Sequence, residues 1–226
     1  MFYDDYTIVP LCMCWSYFSM ENKFANYLIS QRFRGYYPVV IDVETGGLEA
    51  KTDALLELAA VTINCTPDGK FVPYEKVHAH IKPFEGASLY PASLAVNGID
   101  PYHPFRFAIE EKDALTKMFK FLRVKQQKAH CHRCVLVGHN AWFDLSFMNA
   151  AIKRTKVKKN PFHAFTCFDT STLSGLVYGQ TVLAQAMKAA NITFDISESH
   201  SAIYDAEKTA ELFCHIVNQW PWRYRT

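Results

Sequence analysis

Two carboxylates stand two residues apart inside an apolar run in the segment VVIDVETGG, residues 39–47. Alternate side chains of an extended strand share a face, so Asp42 and Glu44 point to one side and the intervening apolar residues to the other. Like charges this close repel unless a cation compensates them, and oxygen ligands suit Mg²⁺ or Mn²⁺. Taken alone, the pair is better explained as a solvated strand end, and a divalent-metal site requires further ligands elsewhere in the chain.

Three further polar residues could complete such a site. Asp144, in GHNAWFDLSFM, falls in the first turns of a predicted helix for which we predict Asn140 as the N-cap. In HSAIYDAEKTA, His200 stands just before the final predicted helix and Asp205 lies in its early turns. Each has a structural alternative, because an acid near a helix N-terminus also complements the helix dipole.

The elements that must position these residues follow from the hydrophobic pattern. Three strands joined by short loops predict an antiparallel meander, and a later alternation of strands and helices predicts a mixed sheet flanked by helices, an α/β fold. The predicted strands span 36–45, 54–65, 75–82, 134–140 and 163–170, and the predicted helices span 91–99, 107–128, 141–156, 181–191 and 200–220.

Composition limits the remaining possibilities. The chain has 226 residues, 50% of them hydrophobic, which is enough for one well-buried domain. A net charge of +2 means that any contact with nucleic acid must come from local basic clusters. No apolar run reaches the roughly 20 residues of a membrane span and no signal peptide is apparent, so we expect a cytoplasmic protein.

Seven cysteines without framework spacing indicate reduced thiols. Cys131 and Cys134 have the spacing of zinc ligands, but no second pair exists at compatible spacing, so an exposed loop followed by a buried strand cysteine is preferred. Residues 1–34 differ in composition from the rest and are predicted to be an N-terminal extension, with a short helix in 21–34. We hypothesise that residues 1–19 are dispensable, because Met20 could start a shorter chain.

The ordered motifs DVET, HNAWFDLSF and HSAIYDA resemble the DEDD exonucleases whose third motif carries a histidine. Within that superfamily, FRGYYPVVIDVET, KTDALLELAA, NGIDP, NPFHAF and HSAIYDAEKTAELFCHIVN are similar to the ribonuclease T family. The resemblance implies a ribonuclease H-like fold for residues 35–226, with three antiparallel strands followed by two parallel ones in a five-stranded sheet. It also implies a homodimeric 3′-to-5′ exoribonuclease with two Mg²⁺ ions, replaceable by Mn²⁺, that trims tRNA and other structured RNAs to release nucleoside 5′-monophosphates.

Carried over residue by residue, the resemblance gives roles to five positions. Asp42, Glu44, Asp144 and Asp205 would bind the metals, and His200 would be the general base. Free imidazole has a pKa near 6.5 and is largely neutral at cellular pH, which suits a proton acceptor. We expect His200 to lie on a mobile segment.

Substrate contacts are expected from aromatic side chains that stack on terminal bases. Phe143 and Phe165 keep the family's aromatic residue, whereas Leu48 and Val96 replace phenylalanines and Ala92 replaces an acid. These replacements predict an altered preference for the 3′-terminal base. Single-stranded DNA is expected as a further substrate.

Basic clusters are the expected contacts for the RNA backbone. The segment KRTKVKK, residues 153–159, contains Lys156, Lys158 and Lys159, and in the family such residues guide RNA across the dimer. A solvated surface is the alternative. The other candidates are Arg32, Arg34, Lys120, Arg123, Lys125, Lys128 and Arg133.

Two other functions share parts of this pattern. Another histidine-type DEDD exonuclease, such as a proofreading subunit or an oligoribonuclease, would have the same metal residues and differ in the family-specific phrases. A non-catalytic RNA-binding dimer on the same fold would be free to lose the five catalytic positions, all of which are occupied here.

Overall fold

A computed structural model describes residues 28–220. The proposed dispensable segment, residues 1–19, and the first part of the helix predicted over 21–34 lie outside that range. Residues 28–32 are helical, and the buried side chains of Leu28 and Ile29 join the core as the helical pattern predicts.

The sheet has five strands in the order β3-β2-β1-β4-β5. Strand β1 pairs antiparallel with β2, which pairs antiparallel with β3, while β4 and β5 add in parallel on the other side of β1. The predicted mixed five-stranded sheet is confirmed. The strands are β1 (Tyr36–Thr45), β2 (Leu55–Cys65), β3 (Phe71–His80), β4 (Arg133–Gly138) and β5 (Phe162–Asp169).

Besides the helical residues 28–32, six α-helices surround this sheet within the described residues. The last helix packs against β1, β2 and β3, and it covers the face to which the two acids of β1 point. The helices are α1 (Pro91–Asn97), α2 (Glu111–Lys128), α3 (Ala141–Thr155), α4 (Thr170–Tyr178), α5 (Leu183–Ala189) and α6 (Ala202–Gln219). No helix among residues 28–220 combines the length and apolar character needed to cross a membrane.

Three sequence-based expectations need correction. Strand β3 begins at Phe71, four residues before its predicted start, because Phe71 pairs with Cys65 and prolongs the hairpin. Helix α4 was not predicted, although Asp169 caps it by accepting a hydrogen bond from the Ser171 N–H. Asn140 precedes α3 with a left-handed backbone (φ 64°), and its side chain makes no capping hydrogen bond.

Candidate active site

The two acids of β1 lie on the central strand of the sheet. The strand's other face is fully buried core, which explains why its residues are β-branched and apolar. Directly after Glu44 the pairing with β2 shifts by one residue, so that Thr45 lies opposite Leu55. Such bulges end regular pairing and redirect side chains, and this one separates Glu44 from the turn that follows.

Asp205 joins these two acids from the first turn of α6. One carboxylate oxygen from each of Asp42, Glu44 and Asp205 lies within 4.8 Å of the other two. The other Asp205 oxygen, Oδ2, accepts a hydrogen bond from the His200 N–H at 2.9 Å. His200 has a left-handed backbone (φ 65°) and an exposed side chain, so its main chain is fixed to the acidic group and its imidazole is free to face solvent.

Asp144 is buried in the first turn of α3 and is held against β1. Its Oδ1 accepts a hydrogen bond from the Val43 N–H at 3.1 Å. The close approach favours glycine at position 138, because a Cβ there would lie only 3.0 Å from Asp144 Oδ2 and from the Ala141 Cα. Asp144 is not part of the group of acids whose ligand atoms all lie within 4.8 Å of one another, but its charge acts on Asp42.

The electrostatics of the acidic cluster favour the binding of a cation. Burial, together with the charges of Asp144 and Asp205, raises the pKa of Asp42 well above its ordinary value. Burial and the charge of Asp205 raise the pKa of Glu44 to about 8. Burial likewise raises the pKa values of Asp144 and Asp205. Four acids with raised pKa values on one sheet face repel one another when ionised.

The donor atoms present fit a hard divalent cation. The ligands are all carboxylate oxygens, which Mg²⁺ and Mn²⁺ prefer. Asp205 Oδ1 is buried and has no hydrogen-bond partner, a costly arrangement that a cation would relieve. Both observations agree with the predicted metal site at Asp42, Glu44 and Asp205.

Two residues at this site have no predicted role. Asn97 Nδ2 donates to the Thr45 carbonyl at 3.1 Å and also bonds Glu44, lowering its pKa against the larger effect of burial. Glu57 lies directly opposite Glu44 on β2. Burial opposes its ionisation, but His78, His80 and the Ala202 N–H outweigh burial and lower the pKa of Glu57. The sequence signal that could have identified Glu57 is its position as the only acid in the apolar run ALLELAA.

Comparisons with known proteins agree with this arrangement. The exonuclease family model (RNase_T) matches residues 39–213. Proteins named ribonuclease T from Shewanella denitrificans and Photorhabdus laumondii are 57% and 56% identical over 192 and 201 residues. These matches cover 85% and 89% of this chain and 85% and 93% of the relatives. The chain belongs to the ribonuclease T family. It is therefore a nuclease, a hydrolase of the exonuclease class.

Solved structures show the same fold at much lower identity. A full-length 3′-exonuclease aligns with a TM-score of 0.62 at 16% identity, covering 81% of this chain and 83% of that one. Exonuclease I of E. coli with a dA16 oligonucleotide aligns with a TM-score of 0.59 at 16% identity, covering 81% of this chain and 41% of that one. The ribonuclease H-like fold predicted from the ribonuclease T family resemblance is thus confirmed.

Apolar side chains that were predicted to contact substrate are exposed on this ribonuclease T family fold. Leu48, Val96 and Phe165 are 82%, 61% and 79% exposed. Leu48 and Val96 lie near the same end of β1. The Tyr90 N–H donates a hydrogen bond to the Gly46 carbonyl, just after β1, and α1 begins directly after Tyr90. Phe143 is half-buried, with its ring 5.0 Å from that of Phe147. Ala92 is exposed on α1.

The predicted basic residues differ in their exposure and in the contacts that they make with other residues. Lys156, Lys158 and Lys159 are exposed after the end of α3, and no ion pair involves them within residues 28–220. Arg32 is half-buried and donates to the Trp220 carbonyl, whereas Arg34 is exposed with its guanidinium over the Tyr36 ring.

Several other cations of the predicted clusters already have partners. Arg154, within KRTKVKK, forms two hydrogen bonds with the buried Glu111, and Lys125 pairs with Glu75. Arg123 and Arg133 donate to the carbonyls of Lys159 and Phe162. Glu111 and Glu75 therefore compensate the charges of Arg154 and Lys125, whereas Arg123 and Arg133 keep their positive charge.

Cys134 is a buried strand cysteine, as predicted, whereas Cys131, in the loop before β4, is buried rather than exposed. Burial raises the pKa of each thiol. Neither belongs to a group of metal-ligating side chains within residues 28–220. The five cysteines of that range are free thiols.

Proposed function

We propose that this ribonuclease T family member is a 3′-to-5′ exoribonuclease that trims tRNA and other structured RNAs and releases nucleoside 5′-monophosphates. The observation that carries the proposal is that one carboxylate oxygen from each of Asp42, Glu44 and Asp205 lies close to the other two. In addition, Asp205 Oδ1 is buried and has no hydrogen-bond partner. A 56–57% identity to curated ribonuclease T sequences supports the substrate class.

Asp42, Glu44 and Asp205, with Asp144 beside them, would hold two Mg²⁺ ions, for which Mn²⁺ can substitute. Bound divalent ions neutralise the phosphodiester charge and stabilise the leaving 3′-oxygen. The protein's own contribution is to fix the ligands before substrate arrives. The Val43 N–H holds Asp144, and the His200 N–H holds Asp205.

His200 is the proposed general base. The bond from its N–H to Asp205 places its main chain beside the acids while its exposed ring can turn toward substrate. In the proposed step the imidazole accepts a proton from the attacking water, a P–O bond forms to the water oxygen, and the bond to the 3′-oxygen breaks. The released 3′-oxygen takes a proton from solvent and becomes the new 3′-hydroxyl. The products are a nucleoside 5′-monophosphate and an RNA one residue shorter.

The terminal nucleotides would lie against the exposed side chains Leu48, Val96 and Phe165, with Phe143 beneath them. Aromatic stacking contributes about 1–3 kcal/mol per base and tolerates any base. With only Phe165 both aromatic and fully exposed among these four, we propose that the end of the substrate is held mainly by one ring. Single-stranded DNA offers the same bases and is a proposed second substrate.

We also propose that the protein works as a homodimer, with Lys156, Lys158, Lys159, Arg32 and Arg34 binding RNA phosphates. Sedimentation equilibrium without RNA tests the oligomeric state, and a mass of one chain across the concentration range would contradict it.

The activity is tested with three substrates labelled at the 5′ end: single-stranded RNA, single-stranded DNA and tRNA with a 3′ overhang. With Mg²⁺ we expect a ladder that shortens one nucleotide at a time from the 3′ end, and no change in EDTA. Asp205→Asn should abolish the ladder, and His200→Ala should remove most of the rate while RNA affinity persists. Internal cleavage, or full activity of Asp205→Asn, would contradict the proposal.

A further inference from the structure

A second group of metal-ligating side chains lies beside the acidic one. Glu57 of β2 and His78 and His80 of β3 each offer one atom within 4.8 Å of the other two. Glu57 lies directly opposite His80 on one side and opposite Glu44 on the other. Cross-strand neighbours point to the same face of a sheet, so the two groups lie side by side on the face covered by α6.

The contacts inside this group leave one nitrogen unsatisfied. His80 Nδ1 lies 2.8 Å from Glu57 Oε1, in hydrogen-bond range. His78 Nε2 lies 3.4 Å from Glu57 Oε2, but it is buried and makes no hydrogen bond. Leaving a buried polar atom without a partner is costly, so its direction toward a carboxylate and a second imidazole requires an explanation.

We propose that Glu57, His78 and His80 bind one divalent transition-metal ion of the zinc class. Imidazole nitrogen suits Zn²⁺ and its neighbours, whereas Mg²⁺ keeps to oxygen. Two histidines and a glutamate are a known zinc ligand set that leaves a fourth position for water. The ion would take the unpartnered His78 nitrogen as a ligand.

The geometry and access both suit such an ion. Ligand atoms about 2.0–2.1 Å from a tetrahedral centre lie about 3.3 Å apart. His80 Nδ1 lies 2.8 Å from Glu57 Oε1 and His78 Nε2 lies 3.4 Å from Glu57 Oε2, so small side-chain rotations suffice to reach that spacing. The side chains of His78 and His80 are 24% and 37% exposed, so the group lies next to solvent although the His78 Nε2 atom itself is buried. Glu57, at 10%, forms the inner wall.

The ion would have a structural effect distinct from phosphodiester hydrolysis. It would tie β2 to β3 through a carboxylate that also accepts from the Ala202 N–H at the start of α6. Its ligands are not those assigned to Mg²⁺, so this site stands whether or not the proposed function is correct.

The test uses the full-length chain carrying Asp42→Asn and Asp205→Asn, which disable the acidic group. Zn²⁺ is titrated against a chromophoric chelator in millimolar Mg²⁺, in this protein and in one that also carries His78→Asn and His80→Asn. We expect the added changes to remove one bound Zn²⁺ per chain or to weaken its affinity at least tenfold. His130→Asn, at an exposed histidine elsewhere, is the matched control and should change neither quantity.

A second measurement covers the case in which the protein that carries both histidine substitutions does not fold. Co²⁺ bound by imidazole and carboxylate absorbs in the visible region, and His80→Asn alone, at a partly exposed position, should abolish that band while His130→Asn keeps it. Two results would overturn the proposal. One is equal Zn²⁺ stoichiometry and affinity with and without the two histidines. The other is the absence of a Co²⁺ band in the Asp42→Asn, Asp205→Asn protein that keeps both histidines.

Discussion

The Val43 N–H donates to Asp144 Oδ1 across 3.1 Å, joining two residues that are 101 positions apart in the chain. Val43 lies between Asp42 and Glu44, so this bond fixes the first turn of α3 to the strand at the point where both acids leave it. Asp144 therefore has two functions at once: it supplies charge to the site and it satisfies a strand N–H.

Substitutions at Asp144 should separate these two functions. Asp144→Asn keeps an oxygen that can accept from Val43, so we expect a stably folded protein that loses most nuclease activity. Asp144→Leu removes the acceptor and leaves the N–H buried without a partner, which should cost about 1–3 kcal/mol of unfolding free energy. Urea denaturation of both variants in EDTA checks this, and equal stability would contradict the structural function.

The acidic cluster should make the metal-free protein less stable as pH rises. Because folding raises the pKa of Glu44 to about 8, the folded state favours its protonated form. That contribution is complete below the ordinary glutamate pKa near 4.3 and is lost as pH rises through about 8. We expect the melting temperature in EDTA to fall between pH 5 and 8, less steeply in Glu44→Gln than in the exposed control Glu85→Gln.

Mg²⁺ should reverse this trend, because protons and metal ions compete for the same oxygens. Adding Mg²⁺ at pH 8 should raise the melting temperature of the parent protein, by about 2–4 °C for each kcal/mol of stabilisation. The same addition at pH 5 should have a smaller effect. Equal stabilisation at both pH values would show that the ion binds elsewhere.

Restoring an aromatic ring at Leu48 should strengthen binding of the 3′ end. A π-face at this exposed position can stack on a base, and we expect Leu48→Phe to lower the KM for single-stranded RNA by about fivefold or more, corresponding to about 1 kcal/mol. Leu176→Phe is the matched control, since Leu176 is 77% exposed. A similar KM change in the control would indicate a nonspecific hydrophobic effect.

Three exposed lysines should account for part of the salt dependence of RNA binding. Each phosphate contact contributes about 0.7 to the slope of log affinity against log salt for single strands, so replacing Lys156, Lys158 and Lys159 with glutamine should reduce the slope by about 2. The charge-matched control replaces the exposed Lys70, Lys82 and Lys188. An unchanged slope in the first variant would remove these lysines from the RNA-binding surface.

The sequence was sufficient for features that depend on local periodicity. Strand alternation predicts that Asp42 and Glu44 share a face, and the apolar patterns predict all five strands. The Val43–Asp144 bond could not be predicted, because it depends on how the chain turns between β4 and α3. Asn140 was assigned as an N-cap from residue type alone, and its left-handed backbone directs the side chain away from that function.

Tertiary pairing explains the other differences. Glu57 stands in an almost wholly apolar strand, and its importance follows only from the register that places it opposite Glu44 and His80. Helix α4 contains serine, threonine and glycine, which have weak helical preference, so its packing against α6 and its cap at Asp169 determine it more than its composition does.

Helix α6 is synthesised after every strand of the sheet, and it brings Asp205 to acids that were translated much earlier. A chain that stops before α6 lacks one of the three converging carboxylates. The complete acidic group therefore forms only when α6 docks onto β1, β2 and β3.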